Sequence, residues 1–474
     1  MSQIFDLAVI GSGPGGYRAA VLGALRGLNV VIIERAQWGG CCLNRGCVPK
    51  KDWYHSARLL AAQRHFQQRG IQGALQGDLA QAWRHQREVV TTVRESYQSY
   101  LKHLKVQTRE GHARFVDATT LSVTAHDGST ETVRAQHCII ATGATAQIPE
   151  PFVLTPGRVL STDMLFDEPP PAGQRVAVIG SGVVATEMAY ILSLLGREVL
   201  WLTRSAPLSR LGFSPQALGV LRTALEQVGV VPQQVSGYAS VASSQQGVVI
   251  TTADGIPHTV DWVLLGTGRQ PHTEGLDLEQ AGVQVDARGF VQRDAYLRTA
   301  TPSIYAIGDV AGEWMTANHA LSDASVVINN ILGAERAQAS DYIPMVVYSA
   351  VEMARLGLNE DSAEDAGLEP AVGFAAFETS PRALGQDETE GFVRLIGDMD
   401  SGELLGAEVI GSEAGELIHV LSMAPDRATA LAWIARGTWN HPTRAEEILN
   451  ATETLAAKWH LEEFVFKGKA GHIK

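Results

Sequence analysis

Near the start of the chain, apolar residues form two short unbroken runs, at positions 7–10 and 30–33, and the stretch from about residue 17 to residue 28 is helical in pattern. Unbroken apolar runs of this length are typical of parallel strands that are buried on both faces. A glycine-rich turn separates the first run from the helical stretch, and Glu34 follows the second run. The pattern therefore predicts a strand–helix–strand unit.

The same arrangement occurs again about 170 residues further along the chain. An apolar run at 175–179 is followed by a turn at 180–185, a helical stretch at 186–195 and another apolar run at 199–202. Because a strand–helix–strand unit with a glycine turn is the core of a nucleotide-binding fold, two copies predict two separate nucleotide-binding domains.

The rest of the chain predicts how these units are connected. Residues 53–104 are polar and helical in pattern and predict two helices, and residues 111–137 predict short strands with a turn at Asp127-Gly128. Residues 304–309 predict a further buried strand that ends in Gly-Asp. From about residue 343, strands and helices alternate with no further glycine fingerprint.

We therefore predict an α/β fold with two Rossmann-like nucleotide-binding domains and a C-terminal α+β interface domain. The predicted boundaries are 1–150 for the first part of the first nucleotide-binding domain, 151–275 for the second nucleotide-binding domain, 276–342 for the remaining part of the first, and 343–474 for the interface domain.

Composition narrows the class of function. The chain has 474 residues, 45% of them hydrophobic, and a formal net charge of -13, which argues against nucleic acid or an anionic membrane surface as the main partner. We see no basic leader with a small-residue cleavage site and no apolar stretch of the ~20 residues that a membrane span needs. Three of the four cysteines are clustered, which favours a cytoplasmic protein with catalytic or metal-binding thiols over a secreted disulfide framework.

The first glycine turn has the spacing of a dinucleotide-binding fingerprint. Gly11, Gly13 and Gly16 lie between a predicted strand and a predicted helix, where glycines permit a tight turn and close approach of a pyrophosphate. Glu34 ends the second strand, where a carboxylate can accept hydrogen bonds from a ribose. The alternative is a tight turn without a ligand, but the strand, the helix and the terminal acid are all in place. We predict a bound dinucleotide.

The second turn favours a different nucleotide. Gly180 and Gly182 form its fingerprint, with an alanine in third place. The strand that follows ends at Thr203 rather than at an acid, and Arg204 and Arg210 lie just beyond. Because arginines pair with a 2′-phosphate, the pattern favours NADP, although two solvated arginines would look the same.

Cys42 and Cys47 have a spacing that an ideal helix does not bridge. Five residues of helix separate the Cα atoms by roughly 8–9 Å, beyond the ~7 Å limit for a disulfide. A bond between them therefore needs a distorted turn, which Gly46 and Pro49 make plausible, and a strained disulfide is easily reduced. The alternatives are inert thiols or a metal site, and no Cys/His pair stands at ligand spacing for a metal.

The other two cysteines have simpler interpretations. Cys41 is either a third redox thiol or a small packed residue, and the second is the stronger interpretation. Cys138 lies in an apolar run and is interpreted as core.

Thiol chemistry needs a proton acceptor, and His441 is the best candidate among fourteen histidines. Pro442 suits the first position of a helix, which would place Glu446 a little over one turn beyond His441, where it can orient the imidazole. A histidine before a helix is often only a cap.

With these motifs in place, the chain resembles the flavin-dependent pyridine-nucleotide disulfide oxidoreductases, a family that includes dihydrolipoamide dehydrogenase, glutathione reductase and mercuric reductase. The redox motif of that family is matched by Gly39, Gly40, Cys42, Asn44, Gly46, Cys47 and Pro49. Four shorter motifs match as well: Thr142-Gly143, Gly268-Arg269-x-Pro271, Gly308-Asp309 and His441-Pro442-Thr443-x-x-Glu446.

The resemblance implies roles for these residues. FAD would lie on the first fingerprint, which includes Pro14, and NAD or NADP on the second. Cys47 would face the flavin, Cys42 would meet the substrate, and His441, oriented by Glu446, would act as acid and base in the other subunit of a homodimer. Further cofactor contacts would come from Asp309 on the ribitol chain, from His319 and Ala320 near the pyrimidine edge, and from Lys50 or Lys51 paired with Glu187.

Within the family, the resemblance points to dihydrolipoamide dehydrogenase acting on a lipoyl group that a separate carrier protein supplies. The segments 382–395, 402–406 and 415–418 resemble that subfamily. Other features instead resemble glutathione reductase, which is the enzymatic alternative: the pair Arg204 and Arg210, the run Pro49-Lys50-Lys51, and Tyr97. Val21 stands where glutathione reductase has an arginine. A flavin-binding subunit without catalysis is the alternative of another class.

Overall fold

The computed structural model describes residues 4–312, 314–334 and 342–467. Its strands are β1 (Ile4–Ile10), β2 (Val30–Glu34), β3 (Gln107–Glu110), β4 (His112–Asp117), β5 (Thr120–Thr124), β6 (Thr130–Ile140), β7 (Ala144–Ala146), β8 (Val159–Ser161), β9 (Arg175–Ile179), β10 (Glu198–Thr203), β11 (Pro232–Gln234), β12 (Tyr238–Ser244), β13 (Gly247–Thr252), β14 (Pro257–Val260), β15 (Trp262–Leu265), β16 (Arg269–Pro271), β17 (Ile304–Ala306), β18 (Met345–Tyr348), β19 (Glu352–Gly357), β20 (Pro370–Ala376), β21 (Phe392–Asp398) and β22 (Leu404–Ile410).

The α-helices are α1 (Pro14–Leu25), α2 (Gly40–Arg45), α3 (Cys47–Ala62), α4 (Leu79–His103), α5 (Thr162–Asp167), α6 (Val183–Leu194), α7 (Pro215–Gln227), α8 (Ala317–Ile331), α9 (Glu360–Asp365), α10 (Pro381–Gln386), α11 (Ala414–Ser422), α12 (Ala430–Arg436) and α13 (Glu446–Trp459). Short 3₁₀ turns occupy Gln63–His65, Leu278–Ala281, Gly308–Val310 and Phe377–Thr379, and a π-helical turn occupies Glu463–Lys467.

The chain divides into two compact units. The first contains the described residues of Met1–Ser56, Asp78–Gly180 and Val235–Ala339, and the second those of Ala57–Gly77, Ser181–Gln234 and Ser340–Lys474. This division does not follow the four predicted segments, whose boundaries stay a prediction.

The main sheet of the first unit has the strand order β3-β2-β1-β6-β5-β4, and β17 also pairs with β6. β1, β2, β3, β6 and β17 are parallel where they pair, whereas β4 and β5 form an antiparallel extension of β6. Every residue of β2 is buried, as expected of a parallel strand covered on both faces. The glycine turn after β1 therefore lies at the carboxyl edge of a parallel sheet, where open α/β folds bind ligands.

Smaller sheets complete the first unit. β15 pairs in parallel with β8 and with β9. β12, β13 and β14 form an antiparallel meander, and β7 pairs with β16. The last pairing brings the end of the Gly268 turn beside the segment that follows Gly143.

The second unit contains the antiparallel sheet β18-β19-β22-β21-β20 and the parallel pair β10-β11. Helix α13 packs on β20 so closely that a Cβ at Gly373 would lie 2.2 Å from the carbonyl oxygen of Ala451. Ile448 and Leu455 of α13 belong to the same buried cluster as Val393 and Val409 of the sheet. This packing fixes the start of α13, where Glu446 lies.

The structure confirms the predicted α/β fold class and most of the predicted elements. Two predictions of local structure are wrong. The strand at 304–309 ends at Ala306, and a 3₁₀ turn begins at Gly308. Helix α13 begins at Glu446 rather than at Pro442, because Thr443 closes a separate turn in which its hydroxyl donates to the carbonyl oxygen of Asn440 at 2.8 Å.

None of the helices in the described ranges is both long enough and apolar enough to cross a lipid bilayer.

Candidate active site

Cys42 and Cys47 lie on different helices. Helix α2 ends at Arg45, Gly46 has φ -135° and ψ -107°, and α3 begins at Cys47. This break is the distorted turn that the spacing of the two cysteines requires. All four cysteines are free thiols in this structure, and a hydrogen bond joins the side chains of Cys42 and Cys47.

The environment of Cys42 favours its protonated form. The hydrogen bond with Cys47, followed by burial, raises the pKa of Cys42 well above its ordinary value. Burial, and then the proximity of Cys42, also raises the pKa of the Tyr97 hydroxyl. The Tyr97 ring stacks on Tyr17 with ring centroids 4.1 Å apart. Tyr97, which feels the Cys42 thiol electrostatically, is thus held in a stacked tyrosine pair.

Asn44 holds helix α2 in place. Its side-chain amide donates to the carbonyl oxygens of Trp38 at 2.9 Å and Gly40 at 2.8 Å, and its Oδ1 atom accepts from Arg94 at 2.7 and 3.0 Å. Asn44 is buried, and these contacts use both of its donors and its acceptor. Sequence reasoning missed Arg94, which lies on α4 with no motif around it.

The first glycine turn has room for a ligand on one side only. A Cβ at Gly16 would lie 2.0 Å from the carbonyl oxygen of Gly11, and one at Gly11 would lie 2.4 Å from that of Ala141. A Cβ at Gly13, by contrast, would meet no described atom within 4 Å. Among the described residues no side chain caps α1, so the helix start can offer its N–H groups to an anion. The turn fits a pyrophosphate.

Helix α2, which carries Cys41 and Cys42, lies directly against this turn. A Cβ at Gly40 would lie 2.7 Å from the Cα of Gly13, so only glycine allows α2 to start here. The Ser12 hydroxyl strengthens the junction, because it accepts from the N–H of Gly39 at 3.0 Å and donates to Oε2 of Glu34 at 2.6 Å.

Glu34 is buried and already accepts three hydrogen bonds. Two come from Ser12, and the third comes from the N–H of Ala36 at 2.8 Å. A carboxylate offers about four acceptor positions, so Glu34 can still accept from a ribose. Sequence reasoning missed Ser12, although its place inside the fingerprint was a usable signal.

The predicted Thr142 and Gly143 lie in one turn of the first unit. The Thr142 hydroxyl donates to the carbonyl oxygen of His272 at 2.6 Å, and the N–H of His272 donates to the carbonyl oxygen of Gly143 at 2.9 Å. Gly268 has φ +106°, and its carbonyl oxygen accepts from the N–H of Gln147 at 2.9 Å. These contacts join the segments that flank β7 and β16.

Gly308 and Asp309 follow β17, close to the start of α8. Asp323 accepts from the N–H of Gly308 at 2.9 Å and pairs with Arg293 at 2.8 Å. A Cβ at Gly308 would lie 3.0 Å from the Cβ of Ala320. Burial raises the pKa of the Asp309 carboxyl, and Arg269 partly opposes this shift.

His319 lies in the first turn of α8, beside Ala320. Its Nδ1 atom is 2.7 Å from the Thr316 hydroxyl oxygen, and its ring stacks on Trp314 with centroids 5.7 Å apart. Both His319 and Ala320 are buried.

The second glycine turn shows the same open position as the first. A Cβ at Gly182 would meet nothing within 4 Å among the described residues, and Gly180 has φ +126°. In the second unit, the Ser181 and Ser205 hydroxyl oxygens are 2.9 Å apart, which ties this turn to the end of β10. Beyond that strand, Arg204 and Arg210 are both exposed, and their role at a nucleotide phosphate stays a prediction.

Lys50 is buried, whereas Lys51 is partly exposed. Glu187 on α6 is fully buried, and its Oε1 atom accepts from the N–H of Tyr348 at 2.8 Å. The pairing of Glu187 with Lys50 or Lys51 stays a prediction.

His441 and Glu446 are brought together in the second unit. Nδ1 of His441 is 2.9 Å from Oε1 of Glu446, and Oε2 of Glu446 accepts from the N–H of Thr443 at 2.7 Å. The Thr443 N–H, followed by His441, holds the pKa of the Glu446 carboxyl below its ordinary value. The His441 side chain is 71% exposed, so its Nε2 atom is available to another molecule.

Arg444 anchors the loop between His441 and Glu446, and sequence reasoning missed it. Its side chain is fully buried, donates to the carbonyl oxygen of Glu388 at 2.8 Å and to Gln386 at 3.1 Å, and lies over the Phe377 ring. Burial lowers the pKa of the Arg444 guanidinium. Its place inside the His-Pro-Thr motif was a signal that it serves that motif.

Two family models match the chain. The model described as pyridine nucleotide-disulphide oxidoreductase matches residues 5–324, and the model of the dimerisation domain of pyridine nucleotide-disulphide oxidoreductases matches residues 343–452. Together they include every residue of the site described above.

Curated relatives match over nearly the whole chain. A dihydrolipoyl dehydrogenase of Thermus scotoductus is 36% identical over 96% of this chain and 98% of its own length. A dihydrolipoyl dehydrogenase of Haloferax volcanii is 34% identical over 94% of this chain and 95% of its own length.

Solved structures share the fold. LpdA from Mycobacterium tuberculosis matches with a TM-score of 0.88 and 25% identity over 94% of this chain and 99% of its own. The HOCl-induced flavoprotein disulfide reductase RclA from Escherichia coli, in its Cu(II) complex, matches with a TM-score of 0.82 and 25% identity over 95% of this chain and 99% of its own.

Proposed function

Because this chain belongs to the pyridine nucleotide-disulphide oxidoreductase family, we propose that it is a dihydrolipoamide dehydrogenase. Its reaction would convert a protein-bound dihydrolipoyl group and NAD(P)⁺ into the lipoyl disulfide, NAD(P)H and a proton. The chain is thus a FAD-dependent dithiol-disulfide oxidoreductase whose physiological dithiol is a lipoyl group. The names of the curated relatives support this choice of substrate.

One observation carries the proposal: two hydrogen-bonded thiols lie on a helix break directly against a dinucleotide-type glycine turn. Gly40, which starts the redox helix, is within van der Waals contact of Gly13, and Cys42 and Cys47 share a hydrogen bond. A flavin-linked dithiol enzyme needs this juxtaposition of nucleotide site and thiol pair.

The thiols would act by exchange. In the oxidised protein, Cys42 and Cys47 share a disulfide, and a thiolate of the dihydrolipoyl group attacks Sγ of Cys42. The bond between the two cysteines breaks, a mixed disulfide forms on Cys42, and Cys47 leaves as a thiolate. The second substrate thiolate then attacks the mixed disulfide, so that the lipoyl disulfide is released and Cys42 takes up a proton.

His441 would accept the substrate protons. Thiolates rather than thiols attack disulfides, so each attack requires a base. Glu446 holds Nδ1 of His441 by a hydrogen bond, which directs the free nitrogen Nε2 outward. The exposure of His441 supports a role in the site of the partner subunit, and the dimerisation domain supports a homodimer.

FAD, when bound, supplies a two-electron acceptor between the thiol pair and the nicotinamide. The residues that would hold it are the first glycine turn, Glu34 at the ribose, Asp309, and the start of α8. The remaining predicted contacts are Pro14, Thr142, Gly143, Lys50 or Lys51, Gly308, His319 and Ala320. The open position at Gly13 supports this assignment.

NADP is the nicotinamide cofactor that we propose. Thr203, at the end of β10, is buried and carries no charge, whereas Arg204 and Arg210 are exposed just beyond it. Two guanidinium groups at this point suit a 2′-phosphate better than two free ribose hydroxyls. Gly180, Gly182 and Gly268 would line the same cofactor.

The lipoyl group would be carried by a separate protein. The clustered thiols further suggest a cytoplasmic enzyme, a location that stays a prediction.

The test is the reduction of NAD and of NADP by dihydrolipoamide with the purified, flavin-loaded protein. Turnover with at least one nucleotide, faster with NADP, is expected. No turnover with either nucleotide would refute the substrate assignment.

A disulfide reductase of the glutathione reductase type is the second candidate. Tyr97 and Pro49-Lys50-Lys51 resemble glutathione reductase, and the two exposed arginines suit NADPH. Turnover of oxidised glutathione with NADPH, without activity on dihydrolipoamide, would select this candidate. Absence of both activities would favour the flavin-binding subunit without catalysis.

A further inference from the structure

Helix α2 carries a third thiol beside the redox pair. Cys41 precedes Cys42, and its sulfur lies in the electrostatic field of Cys47 as well. The chain has four cysteines, so the oxidised protein would keep Cys41 and Cys138 as thiols. A thiol that directly precedes a disulfide cysteine in the chain is a potential competitor for that disulfide.

The competing reaction is an exchange that needs no external reagent. The Cys41 thiolate would attack Sγ of Cys47, a Cys41–Cys47 bond would form, and the Cys42–Cys47 bond would break. Cys42 would leave as a thiolate and take up the proton that Cys41 lost, and no net oxidation would occur. The product would lack the disulfide at Cys42 that the substrate attacks.

Two contacts, one helical turn apart, fasten α2 to helix α5. The Cys41 thiol donates to Oδ1 of Asp163 at 3.7 Å, and Nε of Arg45 lies 2.7 Å from Oδ2 of Asp167. Both partners advance by four residues, so the contacts lie on matching faces of the two helices. This double contact turns Cys41 towards α5, whereas Cys42 bonds to Cys47.

The charges of Arg269 and Asp163 have opposite effects on the pKa of the Cys41 thiol. Nη1 of Arg269 lies 3.8 Å from Oδ1 of Asp163, and Arg269 also donates to the carbonyl oxygen of Ala144. Burial raises the pKa of the Cys41 thiol to about 12; Arg269 lowers it, and Asp163, Cys47 and Asp309 each raise it. Without the Asp163 carboxylate, the effect of Arg269 on the Cys41 pKa would be less opposed, and the thiolate of Cys41 would be favoured.

We propose that Asp163 is a positioning residue that holds Cys41 as the non-exchanging thiol and thereby keeps Cys42 as the partner of Cys47. This inference rests on the proposed function, because it takes Cys42 and Cys47 as the redox pair. It adds a role for a carboxylate that belongs to no recognised motif.

The test uses the full-length, flavin-loaded protein, oxidised with diamide at pH 8. Exchange is stopped with acid, free thiols are alkylated, and disulfide-linked peptides are identified by mass spectrometry. In parallel, the rate at which iodoacetamide alkylates Cys41 is measured in the native oxidised protein. Cys138, which is fully buried, is the internal control and should stay unlabelled.

In the wild type we expect only the Cys42–Cys47 disulfide. In Asp163→Asn, which keeps the size and the acceptor oxygen but removes the charge, Cys41 alkylation should be several-fold faster, because the charge that raises the pKa of the Cys41 thiol is gone. A Cys41–Cys47 peptide should also appear. Asp163→Glu should restore the wild-type pattern, and Asp163→Asn combined with Cys41→Ser should give only the Cys42–Cys47 disulfide.

Three results would overturn the inference. One is an unchanged Cys41 alkylation rate in Asp163→Asn with no Cys41 disulfide. Another is a Cys41-containing disulfide in the wild type. This result would refute the inference even if the Asp163→Asn variant fails to fold. The last is a wild type without any disulfide after oxidation, which would refute the proposed function as well. In the first two cases dihydrolipoamide turnover can persist, so the two failures are distinguishable.

Discussion

Oε1 of Glu446 lies 2.9 Å from Nδ1 of His441, across a loop that turns back on itself before helix α13 begins. The other carboxylate oxygen of Glu446, Oε2, accepts a hydrogen bond from the N–H of Thr443. One carboxylate therefore fixes both the loop and the histidine ring.

Replacing this carboxylate by an amide should impair turnover more than folding. The hydrogen bond between Glu446 and His441 is charge-assisted, so Glu446→Gln should lower kcat for dihydrolipoamide by about 10- to 100-fold. The measurement is steady-state kinetics with saturating nucleotide. A variant with wild-type kcat would show that Glu446 does not orient His441 for catalysis.

The same carboxylate predicts a pH dependence of stability. Because the pKa of Glu446 is lower in the folded protein than in the unfolded chain, its stabilising effect is present above the ordinary carboxyl range and is lost as the pH falls through the lowered pKa. The urea midpoints of the wild type and Glu446→Gln should therefore differ at pH 7 and converge in acid. A difference that widens in acid would contradict this sign.

Either redox cysteine should be indispensable. Cys42→Ser and Cys47→Ser remove one end of the exchanging bond, so dihydrolipoamide turnover should be lost in both variants. Cys138→Ala is the matched control, because Cys138 lies in β6 with 1% exposure; it should retain turnover and lose only ~1 kcal/mol of unfolding free energy. Turnover in either serine variant would exclude the proposed exchange.

In the first glycine turn, alanine substitutions at Gly16 and Gly13 should have different effects: the first on protein stability, the second on FAD binding. At Gly16 a Cβ would collide with the Gly11 carbonyl, so Gly16→Ala should destabilise the protein even without flavin. At Gly13 the Cβ is clear of the described atoms, so Gly13→Ala should leave the apoprotein's urea midpoint unchanged and weaken FAD binding. Equal FAD affinity in Gly13→Ala and the wild type would show that no ligand approaches this position.

Gly219→Ala is the control for these variants. Gly219 lies inside α7, and a Cβ there would meet no described neighbour within 4 Å. Its replacement should stabilise the helix by about 1 kcal/mol or less without altering FAD affinity, measured by flavin fluorescence.

The arginines beyond β10 predict the nucleotide preference. Loss of a charged hydrogen bond of ~1.5–3 kcal/mol should raise KM for NADP at least about tenfold in Arg204→Ala or Arg210→Ala, with little change for NAD. Arg222→Ala, at an exposed position of α7, should change neither value. If KM for NAD and KM for NADP rose equally in the Arg204 and Arg210 variants, these arginines would not recognise the 2′-phosphate.

The sequence was sufficient to predict the candidate site residues that lie within short motifs. The glycine turns, the thiol pair and the His441–Glu446 pair are each contained in a few consecutive residues, because local backbone geometry alone sets their chemistry. The helix break between Cys42 and Cys47 followed from the same kind of reasoning, since ideal helix geometry cannot join them.

The residues that the sequence missed act across long separations. Arg94 reaches Asn44 from α4, Asp163 reaches Cys41 from α5, and Arg444 is anchored on Gln386 and Glu388. None of these residue types is unusual at its position, so neither periodicity nor spacing distinguishes it from a solvated charge. Their importance comes from burial and from partners that are distant in sequence.

The sequence by itself determined the fold class and the positions of both glycine turns, because strand periodicity and glycine turns are local properties of the chain, and it predicted Cys42 and Cys47 as the redox pair. The tertiary structure decided where α13 begins, which residues fasten the redox helix, and which way each thiol on α2 is turned. These features depend on which side chains meet when the chain has folded. Burial strengthens their hydrogen bonds and charge interactions, and burial cannot be deduced from a local sequence pattern.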